Sequence, residues 1–275
     1  MARRRPRRNS RSFGGAALGG IALICLAMLG LAGLAVFYYY APRAPALDAV
    51  TLCPVSGPYG VIVALVDTSD DLPEPAKKEV AGILDDLITS LPPYYELDIR
   101  VLDIAGARSR SLFSKCNPGD GTGLSEWTSN PRLARMRWLE NFRKPAAEAI
   151  QHSLASAKAN NSPIMAALQD IAIDQFSSAA AEHAVKRLIV ISDMREFTSD
   201  YSQYPKAGDV SYQRFRQSPA YLKLRTDLHG AQVTIYYVQR REPKIDADKH
   251  IEFWHQWVKD NRGAWDRARR LQGAN

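Results

Sequence analysis

From Ala16 to Tyr40 the chain runs for twenty-five residues without a charge, AALGGIALICLAMLGLAGLAVFYYY. No other feature so narrows what this sequence can fold into. A helix rising about 1.5 Å per residue needs about 20 apolar residues to cross a bilayer core of ~30 Å. The run exceeds that, so a membrane-spanning helix is expected over residues 13–40, behind a basic segment at 1–12. Tyr38, Tyr39 and Tyr40 close it as an interfacial belt. Gly15 and Gly19 stand at a GxxxG spacing, which a segment so rich in Gly and Ala produces by composition alone.

Charge sets the orientation. Seven of the 36 basic residues fall in the first 43 positions (Arg3, Arg4, Arg5, Arg7, Arg8, Arg11 and Arg43), with no acid among them. The positive-inside rule then keeps the N-terminus in the cytoplasm and sends everything after Ala41 across the inner, or plasma, membrane, into the periplasm or outside the cell. A cleaved signal peptide is the competing reading, with Ala44-Pro45-Ala46 as a small-x-small site. Signal cores run to only about 7–15 apolar residues, which favours the anchor. Either way the rest of the chain is exported. That rest balances 29 basic against 29 acidic residues, so the overall charge of +7 is no electrostatic footprint for nucleic acid.

Cys25 lies within the apolar run, while Cys53 and Cys116 are the only two cysteines beyond it. An even pair in an oxidising compartment, with no CxxC spacing or neighbouring His, is expected to form a structural disulfide. Two buried free thiols is the alternative.

Residues 41–58 are Pro-rich and aperiodic and read as a stalk. Residues 59–262 alternate between two patterns. Continuous apolar runs (Tyr59–Val66, Lys186–Ser192, Gln232–Val238) suit strands buried on both faces, and Tyr94–Ile104 alternates like an edge strand. Between them, Glu74–Leu91, Pro131–Lys158, Pro163–Phe176, Tyr212–His229 and Lys249–Asp260 carry helical spacing. Residues 105–130 are irregular and Gly/Ser-rich, and residues 263–275 read as a basic tail. The alternation predicts an α/β fold, a doubly wound and mainly parallel sheet with helices on both faces. His250 and His255, five apart, are expected at the surface, as is the cluster Arg135, Arg137, Arg143 and Lys144; Phe253, Trp254 and Trp257 are expected to pack.

In such a sheet ligands bind beyond the carboxyl ends of the strands. Two apolar runs end there in an acid. Asp67-Thr68-Ser69-Asp70-Asp71 follows the first, and Asp193 follows LIVIS. Asp67, Ser69 and Asp71 offer oxygens two residues apart, Asp193 adds a carboxylate, and Ser162 in Asn161-Ser162-Pro163 opens a helix. This is the donor chemistry of a hard divalent cation, Mg²⁺ or else Mn²⁺ or Ca²⁺. Taken singly, each residue is equally a solvated strand end or, for Ser162, a helix N-cap.

On these residues the chain resembles the von Willebrand factor type A domain. That family's metal-ion-dependent adhesion site runs D-x-S-x-S after the first strand, then a Thr opening a helix, then an Asp ending a central strand. Asp67, Ser69 and Asp193 match; Asp71 stands for the second Ser, Ser162 for the Thr, and Met194 for a Gly that commonly follows the last Asp. The resemblance covers roughly residues 58–262 and implies a non-enzymatic module that binds a protein partner through a cation. A third carboxylate at Asp71 would dampen that cation's pull on an acidic ligand. Two other readings stand beside it: a metal-dependent phosphohydrolase using Asp67, and a metal-free scaffold. Haloacid-dehalogenase-like phosphatases need an Asp two residues after the first, where this chain has Ser69.

Overall fold

The computed structural model describes residues 15–40, 44–69, 71–103, 108–126, 129–154, 161–204, 210–240 and 245–271. The basic segment 1–12, Asp70 and the last four residues lie outside the described residues. The chain divides into two compact units, 1–45 and 46–275.

The first unit holds one helix, α1 (Gly15–Tyr40), of 26 residues. From Gly19 to Tyr40 it is long and apolar enough to cross a membrane. It exposes Leu23, Leu26 and Leu29 on one side and Ile24, Met28 and Leu31 on the other, the pattern of a helix made for an apolar solvent.

The second unit is a six-stranded sheet in the order β3-β2-β1-β4-β5-β6. β1 (Gly60–Val66) lies at its centre and every residue in it is buried. It runs parallel to β2 (Tyr95–Asp103) on one side and to β4 (Val185–Ser192) on the other. β5 (Gln232–Tyr237) follows β4 in parallel. The doubly wound, mainly parallel sheet expected from the sequence is what forms. Successive side chains of β1 point to opposite faces, and each face builds its own core. Val61, Val63 and Leu65 pack with α5 (Ile164–Ile171), α6 (Tyr212–Gln217) and α8 (Ala247–Asp260). Ile62, Ala64 and Val66 pack with α2 (Glu74–Ser90) and α4 (Lys144–Ser153). Each fully buried large apolar side chain contributes about 1.5–3 kcal/mol. Gly60 is glycine for space: a Cβ there would stand 2.3 Å from the ring of Tyr95.

Three sequence expectations need correction. Residues 108–116, read as part of an irregular loop, form the edge strand β3 (Arg108–Cys116), antiparallel to β2. Residues 264–270, read as tail, form the other edge strand β6 (Ala264–Arg270), parallel to β5, so the domain runs on through Leu271. Both are rich in Arg, which guards an open sheet edge against pairing with another chain but erases the apolar pattern of a strand. The expected stalk is mostly domain: from Ala46 onward it folds back, with Leu47 bridging Pro54 and the Cys116 amide donating to the Thr51 carbonyl at 2.9 Å. The Cys53–Cys116 disulfide is formed.

The helices keep their expected places with two changes. Pro131–Ser153 is α3 (Pro131–Trp138), one π-helical turn and α4, and the expected continuation through 155–158 lies outside the described residues. Tyr212–His229 breaks after Gln217, where Pro219 starts the short α7 (Pro219–Lys223). The four basic residues of the α3–α4 stretch are solvated in part, Arg143 pairing with Asp85 at 3.0 Å and Lys144 with Glu140 at 2.5 Å.

Candidate functional site

The strand order reverses between β1 and β4, and the crevice beyond their carboxyl ends is where a doubly wound sheet presents ligands. Asp67 leaves β1 there and Asp193 leaves β4. The Asp67 amide still donates to the Ile191 carbonyl at 2.9 Å, so the ladder itself fixes the position of the first acid. Its carboxylate then turns the chain. Oδ1 accepts from the Ser69 amide at 2.9 Å and the Ser69 hydroxyl at 2.6 Å, and Oδ2 accepts from the Ser192 hydroxyl at 2.6 Å. An Asp directing its own backbone two residues on is a turn this residue type makes readily. Asp67, Ser69, Ser162, Ser192 and Asp193 are all buried.

Ser162 comes from the segment before α5. Its backbone exchanges hydrogen bonds with Phe197 at 2.9 and 3.0 Å, and its hydroxyl lies 3.4 Å from that of Ser69. It is not the N-cap of α5, a place taken by Pro163 with no side-chain cap. The amide of Met165 donates instead to Glu196 Oε2 at 2.8 Å. Burial pushes the Glu196 carboxyl up to about 8, against the lowering effect of the backbone amides at the start of α5.

Asp193 accepts from the Arg195 amide through Oδ1 at 3.0 Å. Its Oδ2 stands 3.4 Å from Arg240 Nε and 4.0 Å from Arg195 Nε. Burial, with the nearby Asp67 charge adding to it, raises its carboxyl to about 6. Met194 follows in the left-handed region at φ 60°, a conformation that suits glycine. The surroundings hold the methionine in place: its amide donates to Ser192 Oγ at 2.7 Å and its carbonyl accepts from Trp254 Nε1 at 2.8 Å.

A buried polar chain supports this floor. Tyr237 Oη lies 2.9 Å from His250 Nδ1, and His250 Nε2 lies 3.1 Å from Gln203 Oε1. Gln203 Oε1 also accepts the Glu196 amide at 2.9 Å, and Trp254 Nε1 lies 3.2 Å from His250 Nε2. Burial drives the His250 pKa down to about 3, which keeps the ring neutral. The expectation of a surface His250 is therefore wrong. His255, its neighbour five residues on, is half-buried beside Glu252 at 3.3 Å.

The structure thus brings together Asp67, Ser69, Ser162 and Asp193 from the five residues expected to bind a cation. Asp71 departs. Its carboxylate is half exposed and pairs with Lys77 at 3.1 Å, and only its carbonyl joins the site, accepting from Arg240 Nη1 at 2.8 Å. The outer oxygen of Asp193 faces the Arg240 guanidinium. Asp71 therefore stands apart from the other four, and no three Asp, Glu, His or Cys side chains converge among the described residues.

At the rim, Phe197 and Tyr204 are 41% and 37% exposed, with ring centroids 5.2 Å apart, and Arg195 lies over the Tyr204 ring at 5.6 Å. Next to Ser162, an open cavity of about 310 Å³ is lined by Asn161, Pro163, Glu196, Thr198, Asp200 and Lys223. Sequence reasoning missed Ser192, Arg195, Glu196 and Arg240. A signal for Arg240 existed: any residue just past a parallel strand shares the edge where Asp67 and Asp193 lie, and Arg240 follows β5 by three residues.

No family model matches the chain. No curated protein matches it either. Solved structures similar to it include a von Willebrand factor type A protein from Catenulispora acidiphila, 13% identical with a TM-score of 0.39, over 77% of this chain and 39% of that one. An aerotolerance-related membrane protein from Bacteroides fragilis NCTC 9343 is 15% identical with a TM-score of 0.34, over 78% of this chain and 92% of that one. The chain spans less than half of the first of these, and likenesses this distant say nothing of partner or activity.

Proposed function

We propose that this chain is a membrane-anchored, extracytoplasmic module that binds a protein partner at the carboxyl edge of its sheet, without catalysing a reaction. One observation carries the reading: an exposed aromatic pair, Phe197 and Tyr204, with Arg195 behind it, borders the buried polar cluster at the point where the strand order reverses. Aromatic and Arg side chains are the residue types that anchor protein interfaces, and the reversal point is where this class of sheet places its sites. The phosphohydrolase alternative lacks comparable support. Ser69 stands where such an enzyme needs its second acid, and its hydroxyl donates its proton to Asp67.

Export rests on three features that agree: the apolar helix α1, six Arg before it against Arg43 alone directly after it, and a disulfide that persists in oxidising compartments. A C-terminal alkaline phosphatase fusion is expected to be active and a cytoplasmic reporter at the same end silent. The reverse pattern overturns the topology.

The rim is tested by Phe197→Ala with Tyr204→Ala. Both rings are partly exposed, so the domain is expected to melt within a few degrees of wild type. Loss of two interface anchors at about 1 kcal/mol or more each weakens binding tenfold or more. The measurement is partner recovery after chemical cross-linking of intact cells, and unchanged recovery with the double variant refutes the assignment of this edge.

A further inference from the structure

The strand-end site carries a positive charge of its own. Arg240 lies past the end of β5, on the same sheet edge as Asp67 and Asp193. Its Nε stands 3.4 Å from Asp193 Oδ2, and its Nη1 donates to the Asp71 carbonyl at 2.8 Å. The side chain is only 22% exposed. One guanidinium therefore ties the loop after β1 to the carboxylate after β4. A divalent ion held by Asp67, Ser69, Ser162 and Asp193 would tie the same two pieces. Arg195 adds a second guanidinium 4.0 Å from Asp193, so this one carboxyl group faces two permanent cations.

We propose that Arg240 is the resident cation of this site, masking a latent divalent-cation site formed by Asp67, Ser69, Ser162 and Asp193. The hydroxyl and carboxylate oxygens are those a hard cation takes, and all four side chains are buried at one place. What keeps a dication out is like charge at a few ångströms in a poorly solvated crevice. A guanidinium stays protonated at any working pH and cannot be chelated away, so the crevice holds its shape whatever the metal supply. The asymmetry with Asp71 follows: with its carbonyl held by Arg240, its carboxylate is left to pair outward with Lys77. This inference concerns what braces the site, and it stands or falls independently of any protein partner.

The test uses the full-length protein in detergent, its melting followed by tryptophan fluorescence in EDTA and in millimolar MnCl₂. Wild type is expected to melt at one temperature in both. Arg240→Gln is expected to melt lower in EDTA and to recover by several degrees in Mn²⁺, with Mn²⁺ bound at least about tenfold more tightly than by wild type. Adding Asp67→Ala to that variant is expected to abolish the recovery. Arg240→Lys keeps the charge and is expected to stay insensitive to Mn²⁺. An equal Mn²⁺ shift in wild type and Arg240→Gln overturns the proposal, as does a folded Arg240→Gln with no shift. Paramagnetic resonance of free Mn²⁺ mixed with wild type needs no variant: no ion bound at micromolar concentrations supports the proposal, and tight binding there overturns it.

Discussion

Loss of the Cys53–Cys116 bridge is expected to lower the melting temperature of the exported domain by roughly 10 °C. The two cysteines are 63 residues apart. Closing a loop of that length removes unfolded-chain entropy equivalent to about 4 kcal/mol in the chain-entropy model, an upper figure because measured bridges often deliver less. For a domain of this size each 1 kcal/mol moves the midpoint by roughly 2–4 °C. The folded state loses less than the unfolded state gains. The Leu47–Pro54 bridge remains, and so do the turn bonds that Asp48 Oδ1 accepts from the Val50 and Thr51 amides at 3.1 and 2.7 Å. Calorimetry of Cys53→Ala/Cys116→Ala against wild type measures the effect, and superimposable transitions would show that the bridge only decorates a segment already held by hydrogen bonds.

An effect of similar size is expected from Arg100, which lies on β2 in register with Leu65 of β1. Asp98 on β2 is completely buried, and Arg100 Nε donates to its Oδ2 at 2.6 Å. Arg100 Nη1 also donates to Ser109 Oγ at 2.8 Å and to Asp174 at 3.2 Å, while Ser111 Oγ donates to Asp98 Oδ1 at 2.7 Å. Burial already pushes the Asp98 carboxyl above its ordinary range, with the Arg100 charge opposing that shift. Arg100→Met leaves a buried carboxyl without its cation, and breaking such a pair from one side costs about 3–5 kcal/mol. Replacing both partners by apolar residues of similar volume is often near neutral. Asp98→Val/Arg100→Met is therefore expected to be more stable in denaturant than Arg100→Met alone. Additive losses would mean that the network matters through its peripheral bonds to Ser109 and Asp174 and not through the central pair.

How much of this was legible in the sequence follows from where each residue sits in the sheet. β1 and β4 are flanked by strands and covered on both faces, so their sequences are unbroken apolar runs and announce themselves. β3 and β6 are edges, exposed along one side, and their Arg and Ser residues serve solvent and protect the edge; only Phe113 and Cys116 in β3 are buried apolar side chains. Asp67 and Asp193 were legible because each directly follows a buried apolar strand, which puts both at the same sheet edge. His250 was misread by comparing it with His255 alone. Set against Phe253, Trp254 and Trp257, it falls at i, i+3, i+4 and i+7, the buried stripe of α8. Glu196 was invisible for a different reason: its role comes from a contact across 31 residues of chain, to Met165, which no local pattern encodes, whereas Arg240 was betrayed only by its place just past β5.

The most direct test of the binding edge places a photo-crosslinking phenylalanine analogue at one of two positions in intact cells. Phe197 stands at the rim beside Ser162, and Val185 begins β4 at the opposite end of the sheet, 51% exposed. The carboxyl-edge account predicts a discrete protein adduct from position 197 and none from position 185. An adduct from 185 alone, or the same adduct at equal yield from both, would contradict it.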